Sequence, residues 1–253
     1  MGKFDGFMII SDIDGTLTDD KQMLSAENKN AIQYFKSEGG IFTIATGRLH
    51  DYFREKCFDK IINCPAVLLN GAGIYDFDKN DYLYLKSFDE NYKDVLNFIT
   101  SVGGFLHIHF NYKDGGIDSA FETKRTDNPS KIVVVFDDEL SAMNLRDKLR
   151  ERFKDDYEIF RSWNTGVEVL PKGATKGNAL KILKQQLNDI SVTAAIGDYE
   201  NDISLIKVAD ISFVPENAVK ELKEKADYIV AHHCKNAVKE MIEILEKHNK
   251  PNA

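Results

Sequence analysis

Cysteine is scarce in this chain: Cys57, Cys64 and Cys234 are the only three. The number is odd and the C-x-x-C spacing of a redox pair or zinc ribbon is missing, which excludes a disulfide framework and points to a reducing, cytoplasmic setting. Glycine, proline and serine are not in excess, with 16 Gly and 5 Pro among 253 residues. No segment reads as a low-complexity tract, and the chain is expected to fold throughout. Long apolar runs are also lacking. No stretch approaches the roughly 20 residues needed to cross a bilayer, and no basic segment followed by an apolar one marks a signal peptide, so neither membrane insertion nor secretion is expected. Positive charge is thin as well. With 33 Lys and Arg against 41 Asp and Glu, the formal net charge is −8, and no basic block offers a surface for DNA or RNA.

What is present has the rhythm of an α/β protein. Phe7 to Ser11 reads as a buried strand that ends in Asp12-Ile13-Asp14-Gly15-Thr16. Ser25 can cap a helix to about Glu38, with Ile32 and Phe35 inward, and Gly39-Gly40 stop it. A second strand, Ile41 to Ala45, ends in Thr46-Gly47-Arg48. After a helical segment to about Asp59 comes a third apolar run, Ala66 to Leu69, ending in Asn70-Gly71. Strand, helix, strand, helix, strand implies a parallel sheet with right-handed crossovers, and such sheets bind ligands beyond the carboxyl ends of their strands. Asp12, Asp14, Thr46 and Asn70 are therefore expected on one rim.

From about Tyr82 the rhythm changes. Phe105 to Tyr112 alternates like a half-exposed strand, Lys131 to Phe136 is β-rich, Leu140 to Phe153 reads as an amphipathic helix, and Val167 to Leu170 as a strand. After Pro171 the first rhythm returns: a helix from about Lys176 capped by Thr175, a strand Val192 to Ile196 ending in Gly197-Asp198, and further strands and helices to about 247. The expected fold class is α/β: a Rossmann-like parallel-sheet core, residues 1–81 and 173–253, interrupted by an α+β domain at 82–172.

Two carboxylates one residue apart on a turning backbone, Asp12 and Asp14, can face a single cation. Each can equally make or cap a turn. Gly197-Asp198-Tyr199-Glu200-Asn201-Asp202 adds acids at a second strand end, where acids often only cap a helix. Two such ends in one sheet would repel, and a hard oxygen-seeking ion such as magnesium removes the conflict. Phosphate brought to that rim needs positive help. Lys176, read as lying one turn into its helix, can supply it, while the Thr46 hydroxyl and Gly47 amide can hydrogen-bond phosphate oxygens.

Together these segments resemble the haloacid dehalogenase-like hydrolase superfamily, specifically its Cof-type phosphatases with a cap between the second and third motifs. Motif one resembles Asp12 to Thr16, motif two Thr46 in Ala45-Thr46-Gly47-Arg48, motif three Lys176 in Thr175-Lys176-Gly177, and motif four Gly197 to Asp202. The resemblance covers nearly the whole chain. It implies a phosphatase in which Asp12 is the nucleophile and forms an aspartyl-phosphate, with Asp14 as acid and then base. Magnesium would be held by Asp12, the Asp14 carbonyl and Asp198, with Asp202 orienting Lys176 or a metal-bound water. Thr46 and Lys176 would stabilise the transferring group. Gly47, Arg48, Asn70 and Asn201 are the substrate-binding candidates, Asn201 toward phosphate. His107, His109, Trp163, Asn164 and Glu168 are candidates for specificity, and His232-His233 receives no role.

The expected substrate is a small phosphorylated metabolite, with sugar phosphates preferred on resemblance alone, and the chain is expected to be a monomer or dimer. A phosphomutase on a related scaffold is the nearest rival. A phospho-accepting receiver-type module shares the acids, threonine and lysine, but has no use for a segment of about 90 residues over the rim.

Overall fold

A computed structural model describes residues 2–248. Its centre is a five-stranded parallel sheet in the spatial order Tyr228–Val230, Ile211–Pro215, Val192–Ile196, Phe7–Ser11, Ile41–Ile44. Phe7–Ser11 pairs in parallel with Val192–Ile196 on one side and Ile41–Ile44 on the other. A strand covered on both faces reads as an unbroken apolar run, and both faces are covered here. Ile9, Phe42 and Ile196 pack with Ile32 and Phe35 of the helix Ala26–Ser37 and with Met241 and Ile242 of Ala237–His248. On the opposite face Met8, Ile10 and Ala195 meet Leu180 and Leu183 of Lys176–Gln186, and Leu205 and Ile206 of Ile203–Val208. Each such fully buried Ile, Leu, Met or Phe side chain contributes roughly 1.5–3 kcal/mol of transfer free energy.

One strand differs from expectation. Ala66–Leu68 touches the main sheet through a single parallel bridge, Ala45 to Val67. Its main partners are antiparallel, in a three-stranded sheet with Gly73–Asp76 and Asp81–Leu85. An apolar run announces burial but does not name its neighbour. The tight turn Leu69–Gly71, with Asn70 in the left-handed region at φ 53°, sends the chain straight back. The change of rhythm read at about Tyr82 falls inside the last of these strands.

The inserted α+β domain is built on an antiparallel sheet in the order Ile117–Ser119, His107–Asn111, Lys131–Val135, Gly166–Pro171, Tyr157–Trp163. Helices Tyr92–Val102 and Glu139–Phe153 cover one face, where Val95, Ile99, Leu145 and Leu149 pack on Ile108, Phe110, Ile132, Val134, Val167 and Val169. Side chains alternate along a strand, so His109, Asn111, Lys131, Val133 and Glu168 emerge on the other face. The fold class is the one expected, a parallel-sheet α/β core with an inserted α+β domain. No helix among the described residues is long and apolar enough to cross a membrane.

Candidate active site

Parallel strands that start on one edge finish on the other, and the chemistry-bearing residues follow the finishing ends of three neighbours. The backbone ladder continues past the strands to fix them. The Asp12 amide donates to Ile196 O at 2.9 Å, Ala45 to Ser11 O at 2.9 Å, Thr46 to Val67 O at 2.9 Å, and Asn70 to Thr46 O at 2.8 Å. Thr175 caps the helix Lys176–Gln186 by accepting from the Asn178 amide at 3.2 Å. Lys176 is thus the first helical residue, not one turn in, and the cap aims its stem back at the rim.

Lys176 is completely buried, and its Nζ donates to Oδ1 of Asp12 and Oδ1 of Asp202, both at 2.6 Å. Burial alone would lower the ammonium, but the charges of Asp12 and Asp202 outweigh it and hold Lys176 above its ordinary value. The second oxygen of Asp202 accepts from the amides of Asp198 and Tyr199 at 3.0 and 3.1 Å. One carboxylate thus fixes both the lysine and the loop that carries Asp198. Burial pushes the Asp12 carboxyl well above the usual range despite Lys176, and the charges of Asp202 and Asp198 add to the rise. Asp198 is pushed up to about 7, by burial first and by Asp202 second, although the Thr16 hydroxyl donates to its Oδ1 at 3.0 Å. Gly15 makes this approach possible: its φ is +75°, and a Cβ there would stand 2.4 Å from Asp198 Oδ2.

Asp12, Asp198 and Asp202 each offer a carboxylate oxygen, all within 4.8 Å of one another. An all-oxygen set of acids this close together fits a hard divalent cation, which removes their mutual repulsion. The consecutive residues His232, His233 and Cys234 also lie close together. There, however, His233 Nδ1 is committed to the Thr18 carbonyl at 2.7 Å.

Asp14 is not free at the rim. Arg48 grips it with two prongs, Nε to Oδ2 at 3.0 Å and Nη2 to Oδ1 at 3.1 Å, while its guanidinium lies 4.5 Å from the centre of the Tyr52 ring. Thr46 Oγ1 accepts from the Arg48 amide at 3.2 Å, which leaves its own hydrogen for an acceptor in the cavity. Gly47 lies against Asn70, whose Nδ2 a Cβ would approach to 2.8 Å.

Asn70 and Asn201 form a relay. Asn70 Nδ2 donates to Glu168 Oε2 and to Ser162 Oγ, the latter at 2.9 Å, and its Oδ1 accepts from Asn201 Nδ2 at 3.0 Å. A carboxylate accepts only, so Glu168 decides which way Asn70 faces, and Asn70 in turn decides Asn201. The Asn201 nitrogen gives one of its two hydrogens to Asn70, and its buried Oδ1 has no partner.

Asp12, Asp14, Thr46, Gly47, Arg48, Asp198 and Asn201 line a cavity of about 600 Å³ between the parallel sheet and the polar face of the inserted sheet. His109, Trp163 and Glu168 line it as well. His107 stacks beside His109, ring centres 5.6 Å apart, and Asn164 Oδ1 accepts from the Tyr199 hydroxyl at 2.7 Å. Asn111 and Lys131 also line it and were missed. The alternation that singles out His107 and His109 extends by one more step to Asn111. Lys131, opposite Asn111 in register, opens the β-rich run. Lys131 is buried, and its Nζ donates to Glu168 Oε1 at 2.7 Å and to the Gly47 carbonyl at 2.9 Å. A second tie between the domains is Glu200, which accepts from Arg146, from Arg161 Nε at 2.9 Å and from Arg150 Nη2 at 3.4 Å.

The chain matches the haloacid dehalogenase-like hydrolase family over residues 9–119 and 101–242. It belongs to that family. This haloacid dehalogenase-like hydrolase is 28% identical over 226 residues to a phosphoglycolate phosphatase of Sulfurisphaera tokodaii, covering 88% of this chain and 87% of that one. It is 27% identical over 251 residues to the 5-amino-6-(5-phospho-D-ribitylamino)uracil phosphatase YcsE of Bacillus subtilis, covering 93% and 94%. Its fold superposes on the subclass IIB sugar phosphatase BT4131 with a TM-score of 0.77 at 18% identity, covering 94% and 98%. The chain is accordingly an enzyme of the phosphatase kind within this family.

Proposed function

We propose that the protein is a magnesium-dependent phosphatase that hydrolyses small phosphorylated metabolites, sugar phosphates by preference, through a phosphorylated Asp12. The observation that carries this reading is the placement of Lys176 at 2.6 Å from Asp12, within a cluster of acids able to share one cation. A carboxylate can approach phosphorus only where the negative charge around it is offset.

In the first half-reaction the free oxygen of Asp12 attacks phosphorus. The new Asp12 oxygen to phosphorus bond forms as the bond to the substrate alcohol breaks, and Asp14, released from Arg48, protonates the departing oxygen. Thr46 donates its hydroxyl hydrogen and Gly47 its amide hydrogen to phosphoryl oxygens, and Lys176 offsets the charge that gathers as the group transfers. In the second half-reaction Asp14 takes a proton from water, whose oxygen attacks phosphorus and frees Asp12 and inorganic phosphate. Asp12, the Asp14 carbonyl and Asp198 would hold magnesium, with Asp202 keeping Lys176 and the Asp198 loop in place; when bound, the ion supplies Lewis-acid charge neutralisation. Residues 82–172 serve as a cap that encloses the leaving group and excludes water, over a core of 1–81 and 173–253.

A panel of phosphorylated metabolites assayed for released phosphate, with the Asp12→Asn variant as blank, tests the reading. Release is expected to stop on chelation and return with magnesium, and calcium is expected to support it poorly. No release across the panel, or release that ignores chelation, contradicts it.

A further inference from the structure

Lys131 and Glu168 form a buried ion pair that belongs wholly to the inserted domain, with side chains 6% and 2% exposed and Nζ to Oε1 at 2.7 Å. Glu168 stands opposite Val133 on the neighbouring strand, so Lys131 is its diagonal neighbour on the same polar face. Such a pair adds little net stability, because the cost of desolvating two charges offsets their attraction, and its best-attested use is to fix one arrangement over others. What each member does with its remaining hydrogen-bonding capacity is therefore informative. That capacity crosses the domain boundary: Lys131 Nζ donates to the Gly47 carbonyl at 2.9 Å, and Glu168 Oε2 accepts from Asn70 Nδ2 as well as from Ser162 Oγ at 3.0 Å.

Both crossings end where the phosphate position is shaped. The Gly47 carbonyl and the Arg48 amide belong to one planar peptide group. Lys131 holds its carbonyl end, and its N–H end donates to Thr46 Oγ1 at 3.2 Å, which keeps the Thr46 hydroxyl hydrogen available to another acceptor. The Asn70 side chain backs Gly47 so closely that a Cβ on Gly47 would stand 2.8 Å from its Nδ2. Asn70 Oδ1 in turn accepts from Asn201 Nδ2 at 3.0 Å, in the short helical turn Glu200–Asp202 whose last residue holds Lys176.

We propose that Glu168 is a positioning residue for phosphoryl transfer: a carboxylate with no hydrogen to offer phosphate, it shapes the phosphate site from the inserted domain, setting Thr46 and Gly47 through Lys131 and the turn of Asn201 and Asp202 through Asn70. This inference rests on the phosphatase reading and deepens it. Separating the domains breaks both links, so the phosphate site is complete only while the inserted domain is seated. The sign of one effect distinguishes positioning from bulk electrostatics. A negative charge near a bound phosphate repels it, so removing that charge tightens phosphate binding if charge is all that matters. Positioning requires the opposite. Glutamine keeps the shape of Glu168 but turns one acceptor into a donor, and cannot serve Lys131, Ser162 and Asn70 together.

Binding of inorganic phosphate, which has no leaving group, is measured by calorimetry with magnesium present, and turnover is measured on two esters of unlike leaving group, p-nitrophenyl phosphate and a hexitol monophosphate. Glu168→Gln is expected to weaken phosphate by about tenfold and to lower kcat by at least about tenfold on both esters alike. Asn70→Gly, which tolerates the left-handed backbone and changes no charge, is expected to act in the same direction by at least about threefold, and carries the test if Glu168→Gln does not fold. Thermal melts confine the comparison to folded protein; a merely structural role lowers Tm and leaves the phosphate affinity of folded protein unchanged. Phosphate bound by the folded variants as tightly as by the unaltered protein, or more tightly, overturns the inference, as does a loss of turnover confined to one ester, which would make Glu168 a contact for the leaving group. No phosphate release by the unaltered protein across the metabolite panel overturns the phosphatase reading instead, while weaker phosphate binding by Glu168→Gln still establishes the link from Glu168 to the anion site.

Discussion

Lys176 and Asp12 lie 164 positions apart in the chain, yet the lysine Nζ stands 2.6 Å from the aspartate Oδ1 with no exposure to solvent. The same ammonium holds Asp202 at the same distance. Lys176→Met is therefore expected to leave two buried acids facing each other. Removing one partner of a buried pair costs about 3–5 kcal/mol, which at roughly 2–4 °C per kcal/mol for a chain of this size lowers Tm by about 6–20 °C. The deficit should be smaller at pH 5 than at pH 8, because protonation of one acid relieves the repulsion. Turnover should fall by at least about 100-fold. Thermal melts at the two pH values and phosphate-release assays check both parts, and a variant with ordinary Tm and turnover contradicts them.

Asp198 makes the metal response depend on pH. Its folded carboxyl is pushed up to about 7, above the ordinary carboxylate range. Without metal, the folded protein keeps a proton that the unfolded chain releases, so the stability contributed by the protonated form is present at low pH and lost as pH rises through about 7. A cation requires the ionised form, so its affinity should climb over the same interval. Magnesium titrations followed by thermal shift at pH 5.5, 7 and 8.5 (roughly spanning the midpoint) should show stabilisation growing with pH. A shift that stays constant or shrinks rules out the assignment.

Glu200 joins the loop of Asp198 to the inserted domain through Arg146, Arg150 and Arg161. Glu200→Gln keeps the shape and removes the charge, leaving three guanidinium groups crowded round an amide. The expected cost is about 3 kcal/mol, or a Tm lower by roughly 6–12 °C, read by calorimetry. A change under about 2 °C would show that the cluster is spread too widely for one carboxylate to matter.

The residues at the strand tips were legible because each motif is local: an apolar run stops, acids or a threonine follow, and parallel topology delivers them to one edge. Asp12, Thr46, Lys176 and Asp198 needed no knowledge of distant partners. Arg48 was harder to read, since its bond to Asp14 spans two motifs, and Glu200 harder still, since its arginines belong to the inserted domain. Lys131 shows the limit most clearly: a lysine opening a β-rich run suggests a solvated end, and only the buried Glu168 and the Gly47 carbonyl explain its burial. Ala66–Leu68 failed in another way, because apolarity reports burial and is silent on whether a neighbouring strand runs parallel or antiparallel.

The central claim is that phosphorus is bonded to Asp12 during turnover. Acid-quenching the enzyme within a single turnover of a substrate labelled in its phosphate, followed by peptide mapping, tests it directly. The account predicts label on the peptide carrying Asp12, released by hydroxylamine as an acyl phosphate and absent from Asp12→Asn. Rapid turnover with the label on another residue, or undiminished hydrolysis by Asp12→Asn, would contradict it.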